Sequence, residues 1–205
     1  MALLYKQSSP LHGVWKMEES SDELLSMLEH KSDYASFLEQ VSAEKRRQER
    51  FACRVLLKEL LGKETRVDYR PTGAPYLACI PLHISISHTK DFVAVILDNR
   101  PTGIDIEYRS DRILKIRSRF MNPEEEAGID PLHEVEHLLI HWCAKETLFK
   151  IIGCEGVDFR KHLHVESFPY SPSGTFTGRE TRTDSCREYK LAYRVTPDYV
   201  LTWLA

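Results

Sequence analysis

Asp105 and Glu107 stand two residues apart in Gly103-Ile104-Asp105-Ile106-Glu107. The alternation predicts a strand with both carboxylates on one face and Ile104 and Ile106 on the other. Carboxylates at this spacing lie about 6.5–7 Å apart along a strand. That is costly in a sheet unless a cation or hydrogen-bond donors lie between them. About forty residues on, Trp142-Cys143-Ala144-Lys145-Glu146-Thr147-Leu148-Phe149-Lys150 brings charges of both signs. On a helix, Trp142, Glu146 and Lys150 are spaced by four and form one slowly drifting stripe. Glu146 and Lys150 also read as an ordinary i, i+4 ion pair worth about 0.3–0.5 kcal/mol.

Upstream lies a second group of polar residues. Arg47, Arg50 and Arg54 follow an i, i+3, i+7 spacing and project from one helix face. One reading is a solvated face paired with Glu44 and Glu49. The other is anion binding, because guanidinium forks match phosphate oxygens. His88 closes the alternating run Leu82-His83-Ile84-Ser85-Ile86-Ser87-His88-Thr89. Arg70-Pro71-Thr72-Gly73-Ala74-Pro75-Tyr76-Leu77 reads as a turn-rich connector.

The elements that must position these residues follow from local pattern. Residues 2–5 and 11–17 suggest short strands. A helix opens near Ser20 or Ser21, with acids in its first turn. A longer one follows Ser42 as N-cap, carries Phe51, Val55, Leu56 and Leu60 on its apolar stripe, and stops at Gly62. Residues 82–89 and 92–97 form two antiparallel strands that deliver the chain to Asp105. The basic segment Arg109 to Arg119 is weakly helical. Asn122-Pro123-Glu124-Glu125-Glu126 is a helix start, with Asn at N-cap and Pro at N1. The last long helix runs from Leu132 or His133 to about Ile152, with Val135, Leu138, Leu139, Trp142, Phe149 and Ile152 on its apolar face. The final third reads as β, with strands at 159–167, 174–178, 189–195 and 199–204. The expectation is α+β: two similar lobes in a pseudo-twofold arrangement, 1–102 and 103–205, each with helices on a small, mostly antiparallel sheet. The active site is expected in the cleft between them.

Composition excludes several classes. A net charge of -3 over 205 residues carries no bulk basic footprint for nucleic acid. No apolar run approaches the ~18 residues of a membrane span. Met1-Ala2-Leu3-Leu4-Tyr5-Lys6 turns polar too quickly for a signal peptide. The five cysteines form no CxxC pair, which argues for reduced thiols in a cytoplasmic protein.

The two stretches of the opening, in this order and at this separation, resemble the paired signature of the 4′-phosphopantetheinyl transferase superfamily: G-[IV]-D-[IV]-E, then W-[STA]-x-K-E-[AS]-x-x-K. Gly73-Ala74-Pro75, Ile86-Ser87-His88-Thr89 and Arg50-Phe51-Ala52-Cys53-Arg54 resemble elements of its surfactin-type, two-lobed, monomeric branch. The resemblance spans about residues 40–150. Ala74 stands where the family usually carries Lys. Cys143 and Thr147 replace other small residues.

The resemblance implies transfer of 4′-phosphopantetheine from coenzyme A to a serine of an apo acyl or peptidyl carrier protein, releasing 3′,5′-ADP. It implies Mg²⁺ held by Asp105, Glu107 and Glu146, with Asp105 the firmest ligand and Glu107 the first to be demoted to indirect binding. Glu146 becomes the base for the carrier serine, directly or through water. Lys150 would stabilise charge on the phosphates, with Lys145 assisting at the pyrophosphate. His88 and Arg54, then Arg50 and Arg47, would hold the 3′-phosphate within the Ser87-His88-Thr89 neighbourhood. Gly73 and Pro75 would lie near the adenine. The basic stretch Arg109, Arg112, Lys115, Arg117 and Arg119 is a candidate contact for an acidic carrier helix, or a solvated loop. The competing readings are a non-catalytic carrier- or nucleotide-binding relative of the same fold, and a Mg²⁺-dependent phosphohydrolase.

Overall fold

The computed structural model describes residues 2–205. Met1, part of the stretch weighed above against a signal peptide, lies outside them. The chain divides into two compact units between Arg100 and Pro101. Both are α+β, as the sequence predicts.

In the first unit, β1 (Leu3–Ser8) and β2 (Leu11–Lys16) precede α1 (Ser21–Ser26), a 3₁₀ turn at Lys31–Tyr34, α2 (Ala35–Gln40) and α3 (Glu44–Leu61). Next come β3 (Val67–Tyr69), β4 (Pro75–Leu77), β5 (His83–Thr89) and β6 (Phe92–Asp98). The main sheet runs β1-β2-β6-β5, antiparallel throughout. Helix α3 packs on β2 and β6, burying Phe51, Val55, Leu56 and Leu60. Ser20 caps α1 in a reciprocal capping box with Glu23. The expected N-cap of α3 is corrected: Ala43 occupies it without a side-chain bond. Its first-turn Glu44 carboxylate instead accepts from the backbone and hydroxyl of Ser21. The connector at 70–77 is also corrected: β3 and β4 form an antiparallel hairpin around it. Three-residue strands are too short for alternation to mark them.

The second unit opens with β7 (Ile104–Tyr108). It continues through α4 (Arg112–Ile116), a 3₁₀ turn at Arg117–Arg119, α5 (Pro123–Ala127) and α6 (Glu134–Ile152). It closes with β8 (Leu163–Val165), β9 (Ser173–Glu180), β10 (Glu188–Val195) and β11 (Tyr199–Leu204). The sheet order is β7-β11-β10-β9-β8. The predicted strand at 159–167 shrinks to three residues, because residues 159–162 turn. Asn122 caps α5 in a capping box with Glu125 behind Pro123 at N1. Gly62 and Gly153 end α3 and α6 in the left-handed conformation.

Helix α6 packs on β7 and β11. Gly103 permits that approach: a Cβ there would lie 2.5 Å from the Thr147 carbonyl oxygen and 2.9 Å from Ile151. Among the described residues no helix is long and apolar enough to cross a membrane, and all five cysteines are free.

Candidate active site

Strand β7 brings Asp105 and Glu107 to α6. Its register on β11 sets Asp105 opposite Thr202 and Glu107 opposite Val200. Thr202 Oγ1 lies 2.6 Å from Thr147 Oγ1 on α6 and fixes the depth of that contact. Lys150 Nζ donates to Asp105 Oδ1 at 2.8 Å and to the Ile104 carbonyl at 3.0 Å. Trp142 Nε1 donates to Glu107 Oε1 at 3.0 Å. The stripe Trp142, Glu146, Lys150 therefore meets the carboxylate face of β7 at both ends. Among the described residues no Glu146–Lys150 ion pair exists. The ordinary i, i+4 reading gives way, because the Lys150 ammonium reaches across to the strand.

Glu146 stands between the two contacts. Burial, then the negative charge of Asp105, pushes its carboxyl up to about 7; Lys150 opposes this and Glu107 adds to it. The Lys150 ammonium that pairs with Asp105 also acts on Glu146. An oxygen-only donor set matches the chemistry of a hard divalent cation. Among the described residues no group of three or more histidine, cysteine, aspartate or glutamate side chains is placed so that it could hold a metal ion. Mg²⁺ usually takes few protein carboxylates and completes its shell with phosphate oxygens and water.

Lys145, expected at the pyrophosphate, is placed elsewhere. Its side chain is fully buried. Nζ donates to the Phe120 carbonyl at 2.6 Å, to Glu125 Oε2 at 2.7 Å and to the Phe159 carbonyl at 3.0 Å. Three bonds use all the protons of an ammonium, leaving none for a phosphate. Glu125 also accepts from the backbone of Asn122 and of Val165.

The arginines of α3 part company. Arg47 donates to the carbonyls of Val41 and Leu38, fastening the end of α2. Arg50 lies over the rings of Phe37 and Tyr69, and Arg54 over Tyr69. Arg54 Nη2 donates to the Tyr69 hydroxyl at 3.3 Å. Arg50 Nε and Arg54 Nη1 are buried without a hydrogen-bond partner. Both residues line a cavity of about 530 Å³ whose wall also carries Lys63 and Arg66. His88 is not part of that wall. It is half-exposed near the end of β5, with Nδ1 3.6 Å from Glu49 Oε1. Ser87 is buried and Thr89 half-buried beside it. Gly73 sits at the turn of the β3–β4 hairpin, donating to the Arg70 carbonyl, and Pro75 begins β4.

The basic stretch is partly spent. Arg117 pairs with Glu126 and Glu134, and Arg109 with Glu136. A second cavity of about 330 Å³ is lined by Glu125, His137, His141 and Glu166, among others. None of Asp105, Glu107, Glu146 and Lys150 lines it.

Trp142 is the contact to the carboxylate pair to which motif reading gives no role. Its spacing to Glu146 places it on the right stripe, but only the structure joins its indole N–H to Glu107.

Residues 101–204 match the family model described as the 4′-phosphopantetheinyl transferase superfamily. A 4′-phosphopantetheinyl transferase of Bacillus subtilis is 31% identical over 85 residues, 40% of this chain and 38% of that protein. One of Bacillus pumilus is 33% identical over 91 residues, 42% of this chain and 39% of that protein. A putative 4′-phosphopantetheinyl transferase of Haemophilus influenzae is 33% identical over 141 residues, 59% of this chain and 58% of that protein. In each case the matched stretch spans less than two thirds of the relative's own length.

Proposed function

We propose, on the premise that this chain belongs to the 4′-phosphopantetheinyl transferase superfamily, that it moves the 4′-phosphopantetheine group of coenzyme A onto a serine of an apo acyl or peptidyl carrier protein. The observation that carries this reading is the meeting of β7 and α6: Lys150 on Asp105 and Trp142 on Glu107, with Glu146 between them.

Asp105, Glu107 and Glu146 would hold Mg²⁺, which when bound would offset the charge of the coenzyme pyrophosphate. Glu146 would take the proton of the carrier serine hydroxyl, directly or through a water. The serine oxygen then forms a bond to the pantetheine-side phosphorus as the bridging P–O bond breaks, and 3′,5′-ADP leaves with the electron pair. Lys150 stands beside Asp105 to stabilise the charge that builds on the phosphates. Arg50 and Arg54, with two buried guanidinium nitrogens lacking partners, offer a site for the 3′-phosphate. His88, flanked by Ser87 and Thr89, is a further contact for that group, and the hairpin turn with Gly73 and Pro75 one for the adenine. Arg112, Lys115 and Arg119 remain for an acidic carrier helix.

Intact-mass spectrometry tests this. With Mg²⁺ and coenzyme A, an apo carrier gains one phosphopantetheine, and chelation of the metal stops the gain. No gain across several unrelated carriers would favour a non-catalytic relative of the same fold.

A further inference from the structure

Lys145 and Glu146 are adjacent on α6 and face different surroundings. Glu146 looks toward the carboxylates of β7. Lys145 looks into the unit's interior and binds two backbone carbonyls, those of Phe120 and Phe159. The rings of these same two residues flank Trp142. Phe120 meets it edge-on at 5.2 Å between centroids and 63°. Phe159 meets it at 5.5 Å and 33°. The indole held between them donates to Glu107. A continuous chain of contacts thus runs from a buried ammonium, through two phenylalanines, to a carboxylate of the candidate metal set.

We propose that Lys145 and Trp142 are positioning residues: Lys145 fixes the aromatic slot of Phe120 and Phe159, the slot fixes the Trp142 indole, and the indole fixes the Glu107 carboxylate. Burying an ammonium costs several kcal/mol before its bonds are counted. An apolar side chain would fill the same space without that cost. What the ammonium adds is direction, holding the backbones on either side of the slot at 2.6 and 3.0 Å from a single nitrogen. Glu125 makes the arrangement rigid, tying the same ammonium to the start of α5 and to β8. An indole bonded to a carboxylate leaves that carboxylate's orientation set before any cation arrives. Hydrogen-bonded supports of this kind govern how well a ligand set receives its metal.

The inference rests on the reading of Asp105, Glu107 and Glu146 as a Mg²⁺ site, and its test separates the two. The first measurement uses the full chain without metal or coenzyme. The protein has three tryptophans, so a ¹H–¹⁵N spectrum resolves three indole N–H signals. Glu107→Gln identifies the Trp142 signal by moving it. Phe159→Leu and Lys145→Met then move that signal too, while those of Trp15 and Trp203 stay in place. If Lys145→Met fails to fold, Glu125→Gln, which keeps an acceptor for the ammonium, removes the charge that anchors it and leaves both rings in place, carries the test. An unmoved Trp142 signal in the folded variants overturns the inference, whatever the metal does.

The second measurement is Mn²⁺ affinity by electron paramagnetic resonance. Trp142→Phe keeps the packed ring and loses only the N–H. It weakens Mn²⁺ binding about 10-fold, within the range for lost supports of metal ligands. Where transfer is assayed, the Mg²⁺ concentration for half-maximal rate rises while the rate at saturating Mg²⁺ is largely regained. Unchanged Mn²⁺ affinity in Trp142→Phe overturns the inference and leaves the metal reading standing. A wild-type chain that binds no Mn²⁺ overturns the metal reading, and the indole signals still decide whether the relay exists.

Discussion

Helix α6 carries two lysine–carboxylate pairs five residues apart, Lys145 with Glu125 and Lys150 with Asp105. They share distances of 2.7 and 2.8 Å and differ in everything around them. The first is closed. Its lysine is fully buried, all three protons are used, and both Glu125 oxygens accept from backbone as well. The second is open. Its lysine is 24% exposed, and its charge acts on Glu146 as well as on Asp105. A buried pair with its hydrogen bonds complete specifies structure. A pair left with surplus charge waits for something that completes it. Residue type alone would have put both lysines on the same phosphates.

The largest test of this contrast removes the open side's acids. Asp105→Ala and Glu146→Ala each lower transfer at least about 10³-fold, since each removes a charge the chemistry needs. Circular dichroism of both variants stays that of the wild type. Among the described residues Glu146 has no hydrogen-bond partner to lose, and the Lys150 charge that acts on it keeps its pair with Asp105. Retained transfer in either variant breaks the metal-site assignment.

The second test sets the two lysines against each other. Lys145→Met strands the Glu125 carboxylate in the interior and lowers unfolding free energy by about 3–5 kcal/mol, read from urea denaturation. Lys150→Met costs less, about 1–3 kcal/mol, because the Lys150 ammonium is partly exposed and makes two hydrogen bonds where Lys145 makes three. In transfer the order is inverted: Lys150→Met lowers the rate about 100-fold in an otherwise folded protein. If Lys150→Met is the more destabilising of the two, the division into a closed and an open pair is wrong.

How much of this was legible without coordinates depends on how local the signal is. The alternation at 103–107, Asn122 with Pro123, and the glycines after Leu61 and Ile152 each act over one turn or one strand, and all fold as they read. The pairing of β7 with β11 joins residues almost a hundred apart, and no local pattern encodes it. Arg47 was drawn to the anion face by its spacing. Its partners are backbone carbonyls of the preceding turn, which sequence does not display. Lys145 is different, because a signal was present. It falls seven residues after Leu138, three after Trp142 and four before Phe149, on the apolar stripe itself. A lysine at an apolar position predicts a buried pair as readily as a ligand contact, and the motif's pull toward phosphate obscured it.

The last test asks whether the closed side stays neutral where it carries no pair. His141 lies one turn before Lys145, is 2% exposed, and has Nδ1 2.9 Å from the His137 carbonyl. Burial holds its imidazole down to about 3, with His137 and Lys145 opposing the charged form and the carbonyl bond favouring it. In the unfolded chain the group titrates near its ordinary 6.5. Between these values the unfolded state binds the extra proton, so stability is highest above about 6.5 and is lost as pH falls toward 3. The contribution approaches ~1.4 kcal/mol per pH unit in that window. His141→Gln, which offers the His137 carbonyl an amide donor, flattens the acid limb of a plot of urea midpoint against pH. An unchanged limb means that His141 is charged in the folded protein, and the side of α6 that holds Lys145 is then less tightly closed than its hydrogen bonds imply.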